Sequence, residues 1–309
     1  MKKTTRFHGV IPPVSTIVDQ NECLDEKGMK NLIDFLIESK VNGLFFLGSG
    51  GEFSQMSTSL RKKVAEFAVQ YVNGRLPVLI GTGTPSTKET ISLSMHAKEI
   101  GADGIVVINP YYWALSEDNL FQHFAQIAEK VDMPTLLYNF PALTGQDLSP
   151  EFVLKLVESY PNVVGIKETV DAVSHTREMI LTVKATHPDF AVFSGYDDHF
   201  LNTLSLGGDG SIPGTANFAP EFSVNIYQSF MDKDYARAIE SHRLLSGLLS
   251  LYPIDKPFVS VIKEALSLRG IKVSTNMIAP ARELSERKKE QVEQILGQAL
   301  GTEKNFINY

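Results

Sequence analysis

Lys167 closes the run Val163-Val164-Gly165-Ile166, a short β-branched stretch after Pro161 that reads as a buried parallel strand. An ammonium at the end of such a strand loses hydration, which disfavours the charged form. The lysine then has two uses. It attacks a carbonyl and forms a Schiff base, or it snorkels along the strand end to water. Tyr138 ends the preceding apolar stretch, in Tyr138-Asn139-Phe140-Pro141. A phenol there, facing an amine on the next strand, suits proton transfer; otherwise it is a core tyrosine with a satisfied hydroxyl.

Other stretches carry chemistry of the same kind. In Gly48-Ser49-Gly50-Gly51-Glu52, successive backbone N–H groups can hold an anion and Ser49 adds a hydroxyl; the alternative is a flexible loop. Asn109-Pro110-Tyr111-Tyr112-Trp113 presents three aromatics in a row, as a substrate contact, a lid or a subunit contact would. Gly195-Tyr196-Asp197-Asp198-His199 and Ile212-Pro213-Gly214-Thr215-Ala216-Asn217 end two more apolar stretches. The seven histidines include no His-x-His or His-Glu-x-x-His spacing, so no metal site is expected. Hydroxyl recognition by Asp197 or Asp198 is the expected role.

Positioning these residues requires strands that end at one place. Candidate strands are Phe7–Val14, Gly43–Leu47, Pro77–Gly81, Gly104–Ile108, Thr135–Tyr138, Val163–Lys167, Ala191–Gly195 and Gly210–Pro213. Amphipathic helical patterns lie between them, following Asp25, Ser57, Ser116, Ser149-Pro150 and Asp171 as capping residues. Eight strands alternating with helices imply an α/β fold with a parallel sheet and right-handed crossovers. Closure into a (β/α)8 TIM barrel is the economical arrangement, and an open doubly wound sheet is the rival. The rival usually carries Gly-x-Gly-x-x-Gly after its first strand, and Val10-Ile11-Pro12-Pro13 has no such turn. In a barrel, reactive side chains gather at the C-terminal strand ends. Further helical segments near Phe222–Met231, Asp234–Leu251, Pro257–Leu268 and Ser285–Leu300 exceed what a barrel needs. The expected division is a catalytic barrel over 1–230 and a C-terminal helical extension over 231–309, with a frayed tail at Thr302–Tyr309.

The chain has 309 residues, 43% hydrophobic and 21% charged, with net charge −7. That balance gives no electrostatic case for nucleic acid or an anionic membrane. Lys2, Lys3 and Arg6 precede an apolar patch, but Pro12 and Pro13 interrupt it, so no signal peptide is expected. No apolar run approaches a transmembrane span. The single cysteine, Cys23, fits a cytoplasmic protein without internal disulfides, and its polar surroundings make a nucleophilic role unexpected.

Taken together, Gly48-Ser49-Gly50-Gly51-Glu52, Pro110-Tyr111-Tyr112, Tyr138-Asn139-Phe140-Pro141 and Gly165-Ile166-Lys167-Glu168-Thr169 carry a resemblance over nearly the whole chain. The sequence resembles the pyruvate-dependent class I aldolases typified by dihydrodipicolinate synthase and N-acetylneuraminate lyase. That resemblance implies a (β/α)8 barrel with a helical extension, a homotetramer, and no metal or organic cofactor. It implies Lys167 as the Schiff-base lysine, Tyr138 as the proton shuttle, and Ser49 as a relay between Tyr138 and a neighbouring subunit's Tyr112. Ser49 and Gly50 resemble the cradle for the pyruvoyl carboxylate, and Ile212 lines the pyruvoyl pocket through its backbone. Thr169, Asp197 and Asp198 are candidates for substrate hydroxyls.

Three departures bear on substrate. The family's Thr-Thr pair is Ser49-Gly50, so one hydroxyl contact is absent. Leu143 stands where dihydrodipicolinate synthases carry an arginine for the second substrate's carboxylate. Gly214 stands where sialic acid lyases place a serine. Within the family the chain is most like the 2-keto-3-deoxygluconate aldolases, which release pyruvate and glyceraldehyde. Neuraminate lyase activity, dihydrodipicolinate synthesis and a non-catalytic keto-acid-binding barrel are the alternatives.

Overall fold

The computed structural model describes residues 7–301; the basic residues at 1–6 and the expected frayed tail at 302–309 lie outside them. Eight strands form one parallel sheet: β1 (Gly9–Val10), β2 (Leu44–Phe46), β3 (Val78–Gly81), β4 (Gly104–Ile108), β5 (Thr135–Asn139), β6 (Val163–Glu168), β7 (Ala191–Ser194) and β8 (Gly210–Ser211). The order is β1-β8-β7-β6-β5-β4-β3-β2, with helices in the crossovers. The sheet curls, and the chain just beyond β1 reaches β2. Pro13 bridges Phe45 in parallel, the Val14 N–H donates to Phe45 O at 2.8 Å, and the Phe45 N–H donates to Pro12 O at 3.1 Å.

The strands are almost wholly buried, as β-branched runs covered on both faces should be. The first and last are shorter than the sequence suggests. Pro12, Pro13 and Pro213 lack the N–H that a ladder requires, so regular pairing stops at Val10 and at Ser211. Caps fix the crossovers. The side chains of Asp25, Ser57, Ser116 and Ser149 accept the N–H of Gly28, Leu60, Asn119 and Phe152, contacts typically worth about 1 kcal/mol each. Asp171 departs from its expected capping role. The helix after β6 starts at Val173 behind Ala172, and Asp171 is left at the mouth of a cavity.

Beyond β8 the chain is helical again, at Pro220–Met231, Tyr235–Leu248, Val259–Leu268 and Glu286–Gly301. Leu248, Leu251, Val261 and Ile262 join the same hydrophobic cluster as the strand residues. Among the described residues, no helix is long and apolar enough to cross a membrane.

Candidate active site

Parallel pairing of β5 with β6 puts Tyr138 in register with Lys167 and Asn139 with Glu168. Side chains alternate along a strand, so the first pair faces inward and the second outward. Lys167 is 4% exposed, with Nζ 4.2 Å from the centre of the Tyr138 ring and 5.6 Å from that of Phe45. Among the described residues its amine has no hydrogen bond and no carboxylate partner. The Tyr138 hydroxyl lies 3.3 Å from Ser49 Oγ. Phe45 packs edge-on to Tyr138 and Phe140 stacks beside it, which fixes the phenol's direction.

Ser49 rides on a single tight turn, Ser49–Gly51, that leaves β2 and ends at Glu52 in the left-handed region. Lys167, Tyr138, Ser49, Gly50, Thr169 and Ile212 all line one cavity of about 360 Å³. The sequence-based candidates therefore converge, with three qualifications. Tyr112 is 91% exposed on the β4 loop and lines no part of this cavity. Leu143, 57% exposed, borders an adjoining apolar chamber of about 600 Å³ that shares Ser49, Phe140, Tyr252 and Phe258 with the first.

Asp197 is the third. Its carboxylate is buried and already engaged, accepting the N–H of Gly214 and Thr215 at 2.9 Å each and the Tyr252 hydroxyl at 3.0 Å. Burial pushes its carboxyl up against those donors, and burial with Asp197 alongside pushes the Tyr252 phenol well up, so the phenol remains a donor. These bonds tie the β7 exit to the β8 exit and engage both Asp197 oxygens, although Asp197 also borders the cavity. Asp198 remains on the cavity wall. Thr169 offers more. Its hydroxyl is buried without a protein partner and borders the cavity, so a ligand hydroxyl could satisfy it. Gly195 is required beside it, since any side chain at 195 would collide with that hydroxyl.

Sequence reasoning missed the contribution of the chain beyond β8. Leu249, Tyr252, Phe258 and Ile262 line the cavity. Lys263, fully buried, donates to Glu52 at 2.5 Å and to Asn276 O at 2.7 Å, while Glu52 also accepts the Ile278 N–H. The turn that carries Ser49 is thus anchored to the C-terminal helices. A signal existed: Lys263 follows the largely apolar stretch Val259-Ser260-Val261-Ile262 as oddly as Lys167 ends its own.

Residues 6–299 match the model of the family described as the Dihydrodipicolinate synthetase family. The chain belongs to that family. Among curated relatives, it is 53% identical to Escherichia coli (strain K12) YagE, provisionally named a 2-dehydro-3-deoxy-D-gluconate aldolase, over 96% of this chain and 99% of that one. It is 51% identical to E. coli YjhH, named a probable 2-dehydro-3-deoxy-D-pentonate aldolase, over 94% and 97%. A crystal structure of YagE in complex with pyruvate superposes with a TM-score of 0.94, covering 96% of this chain and 99% of that one at 54% identity. The dihydrodipicolinate synthase of Thermotoga maritima gives 0.90 at 31% identity, over 95% and 98%. The chain is accordingly a lyase of the aldolase type within this family.

Proposed function

We propose that the protein is a Schiff-base aldolase that reversibly cleaves a 2-keto-3-deoxy sugar acid, such as 2-keto-3-deoxygluconate, into pyruvate and a short neutral hydroxyaldehyde. The observation that carries this reading is the buried, unpartnered amine of Lys167 in register with Tyr138, whose hydroxyl meets Ser49. YagE and YjhH, nearly equal in identity, are named for a six-carbon and a five-carbon acid. Removing three carbons as pyruvate leaves glyceraldehyde or glycolaldehyde, and both are uncharged.

The steps follow from the groups available. The Lys167 amine adds to the C2 ketone, and Tyr138 gives its proton to the departing water, which leaves an iminium and a phenolate. Tyr138 takes the C4 hydroxyl proton, the C3–C4 bond breaks, and its electron pair flows into the iminium to give an enamine. The aldehyde leaves, a proton returns to C3, and water releases pyruvate and the free amine. The iminium is itself the electron sink, so the route calls for no metal or organic cofactor. Backbone N–H groups near Ser49 and Gly50 hold the carboxylate, Ile212 bounds the pyruvoyl group, and Thr169 and Asp198 take hydroxyls of the departing half.

The full reading adds a closed (β/α)8 barrel over 1–230, a helical extension over 231–309, a homotetramer and a cytoplasmic setting. The backbone of Tyr112, held at φ 87°, presents its ring outward, and the chamber beside Ser49 has room for such a ring from a second subunit. Leu143 at the mouth offers no countercharge to an anionic aldehyde, while Asp171 and Asp198 would repel it.

Pyruvate plus borohydride should add one reduced adduct, mapped by mass spectrometry to Lys167. Pyruvate should also condense far better with glyceraldehyde than with aspartate semialdehyde, and Leu143→Arg should narrow that gap. An adduct on another lysine in active enzyme would remove Lys167 from its role. A wild-type preference for aspartate semialdehyde would put dihydrodipicolinate synthesis in place of the sugar-acid reading.

A further inference from the structure

Behind Lys167, on the outward face of the sheet, four polar side chains close a circuit that touches none of the catalytic cavity. The Glu168 side chain is wholly buried, and burial pushes its carboxyl up. A carboxylate in that position is costly unless it is paired and hydrogen-bonded. His175, on the helix after β6, makes a hydrogen bond through Nε2 with Asp147 Oδ2 at 3.0 Å, while its Nδ1 lies 2.8 Å from Glu168 Oε2, close enough for ion pairing but off the direction of a hydrogen bond. Asn139 donates through Nδ2 to Asp147 Oδ1 at 2.7 Å and, more weakly, to both Glu168 oxygens at 3.4 and 3.5 Å. Its own Oδ1 accepts the Leu148 N–H at 3.1 Å. The path runs from the exit of β5, through the loop at Asp147, across the helix, and back to the exit of β6.

We propose that His175, held between the carboxylates of Asp147 and Glu168, is a positioning residue that keeps Lys167 and Tyr138 at their working separation. The argument is geometric. Asn139 and Glu168 each follow a catalytic residue directly in sequence, and they are register partners just as Tyr138 and Lys167 are. A further bond, from the Thr169 N–H to Asn139 O at 2.8 Å, ties the same two strand exits. Moving either outward residue therefore moves its inward neighbour. Both ring nitrogens of His175 lie within 3.0 Å of a carboxylate oxygen, and Asp147 first and Glu168 second push its pKa up to about 10, which favours the imidazolium. Replacing buried ion clusters with apolar groups often leaves stability intact. What this cluster adds is a fixed distance between two reacting groups, and small misplacements there have large kinetic effects.

The inference rests on the Schiff-base reading of Lys167, and the test separates the two. Wild-type enzyme is first trapped with pyruvate and borohydride; failure to label Lys167 overturns that reading and the inference with it. His175→Gln is then assayed on 2-keto-3-deoxygluconate. We expect it to label at Lys167, to keep the KM within about threefold, and to lose roughly tenfold to 10²-fold in kcat. The double variant Glu168→Gln/His175→Gln, which restores a neutral hydrogen-bonding pair, should recover most of that loss. Asp147→Asn, altered at a half-exposed side chain, keeps the question answerable if His175→Gln fails to fold, and should show a smaller fall of the same kind. Normal kcat in folded Asp147→Asn together with normal kcat in whichever His175 variant folds overturns the proposal, even if both melt early. A rise in KM with unchanged kcat overturns it as well.

Discussion

Lys167 and Lys263 are buried alike, at 4% and 0% exposure, and each interrupts or ends an apolar run. Their surroundings differ in one respect. Lys263 meets the Glu52 carboxylate at 2.5 Å and a backbone carbonyl at 2.7 Å, whereas Lys167 meets two aromatic rings and the cavity. Burial lowers the Lys263 amine while Glu52 pushes it back up, as in any compensated pair. The contrast separates a lysine that holds structure from one left available to react. A sequence shows both as the same anomaly, and only the partner tells them apart.

Methionine at each position should split the two most sharply. Lys167→Met should abolish aldol cleavage and borohydride trapping while melting at or above the wild-type temperature, because an uncompensated polar group gives way to an apolar one. Lys263→Met should do the reverse at the level of folding. It leaves Glu52 buried without a countercharge, a change that typically destabilises by about 3–5 kcal/mol. Glu52→Gln/Lys263→Met should regain part of that. Thermal melts beside turnover read both arms. A destabilised Lys167→Met, or an unaffected Lys263→Met, would break the comparison.

Tyr138→Phe sharpens the same contrast at the reacting end. The ring that faces Lys167 stays, so folding and trapping of pyruvate should persist, while turnover falls by roughly the 10²–10⁴-fold of a general acid–base. Near-normal turnover in the folded variant would assign the proton to another group, with Ser49 the first to examine at 3.3 Å from that hydroxyl.

Much of this was legible in the sequence, for local reasons. β-Branched runs mark the strands, and Asp25, Ser57, Ser116 and Ser149 mark helix starts because a cap is a contact across three residues. The convergence of Lys167, Tyr138 and Ser49 was legible because strand ends in such a fold share one face. What escaped depends on contacts between distant residues. Asp197 and Asp198 are adjacent acids, and nothing local says which one is turned toward Tyr252, 55 residues on. Glu52 and Lys263 lie 211 residues apart. The proline-shortened β1 was legible in hindsight from Pro12 and Pro13, whose missing N–H groups outweigh the apolar pattern around them. The same distance problem hid His175, which joins Asp147 to Glu168 across a loop and a helix.

Glu168 belongs to the compensated class, and its compensation should titrate with His175. The groups facing His175 are the Asp147 carboxylate from the β5 loop and the Glu168 carboxylate from β6, both joined to the Asn139 amide. Asp147 is pushed up by burial, but its bonds from His175 and Asn139 outweigh that and hold it below its ordinary value. His175 moves from an ordinary 6.5 to about 10 in the folded chain. A group whose folded value is raised contributes stability that is fully present below the unfolded value and disappears as pH climbs through the folded one. The advantage of wild type over His175→Gln should therefore be greatest near pH 6, shrink steadily above pH 7, and be largely gone by about pH 10. Lysines and tyrosines also titrate near the upper limit, so the difference between the two proteins is the quantity to follow, not either melting curve alone. Parallel denaturant melts from pH 6 to 10 measure it. A difference that stays constant across that range would mean that His175 carries no charge in the folded protein, and Glu168 would then be a neutral acid held by Asn139.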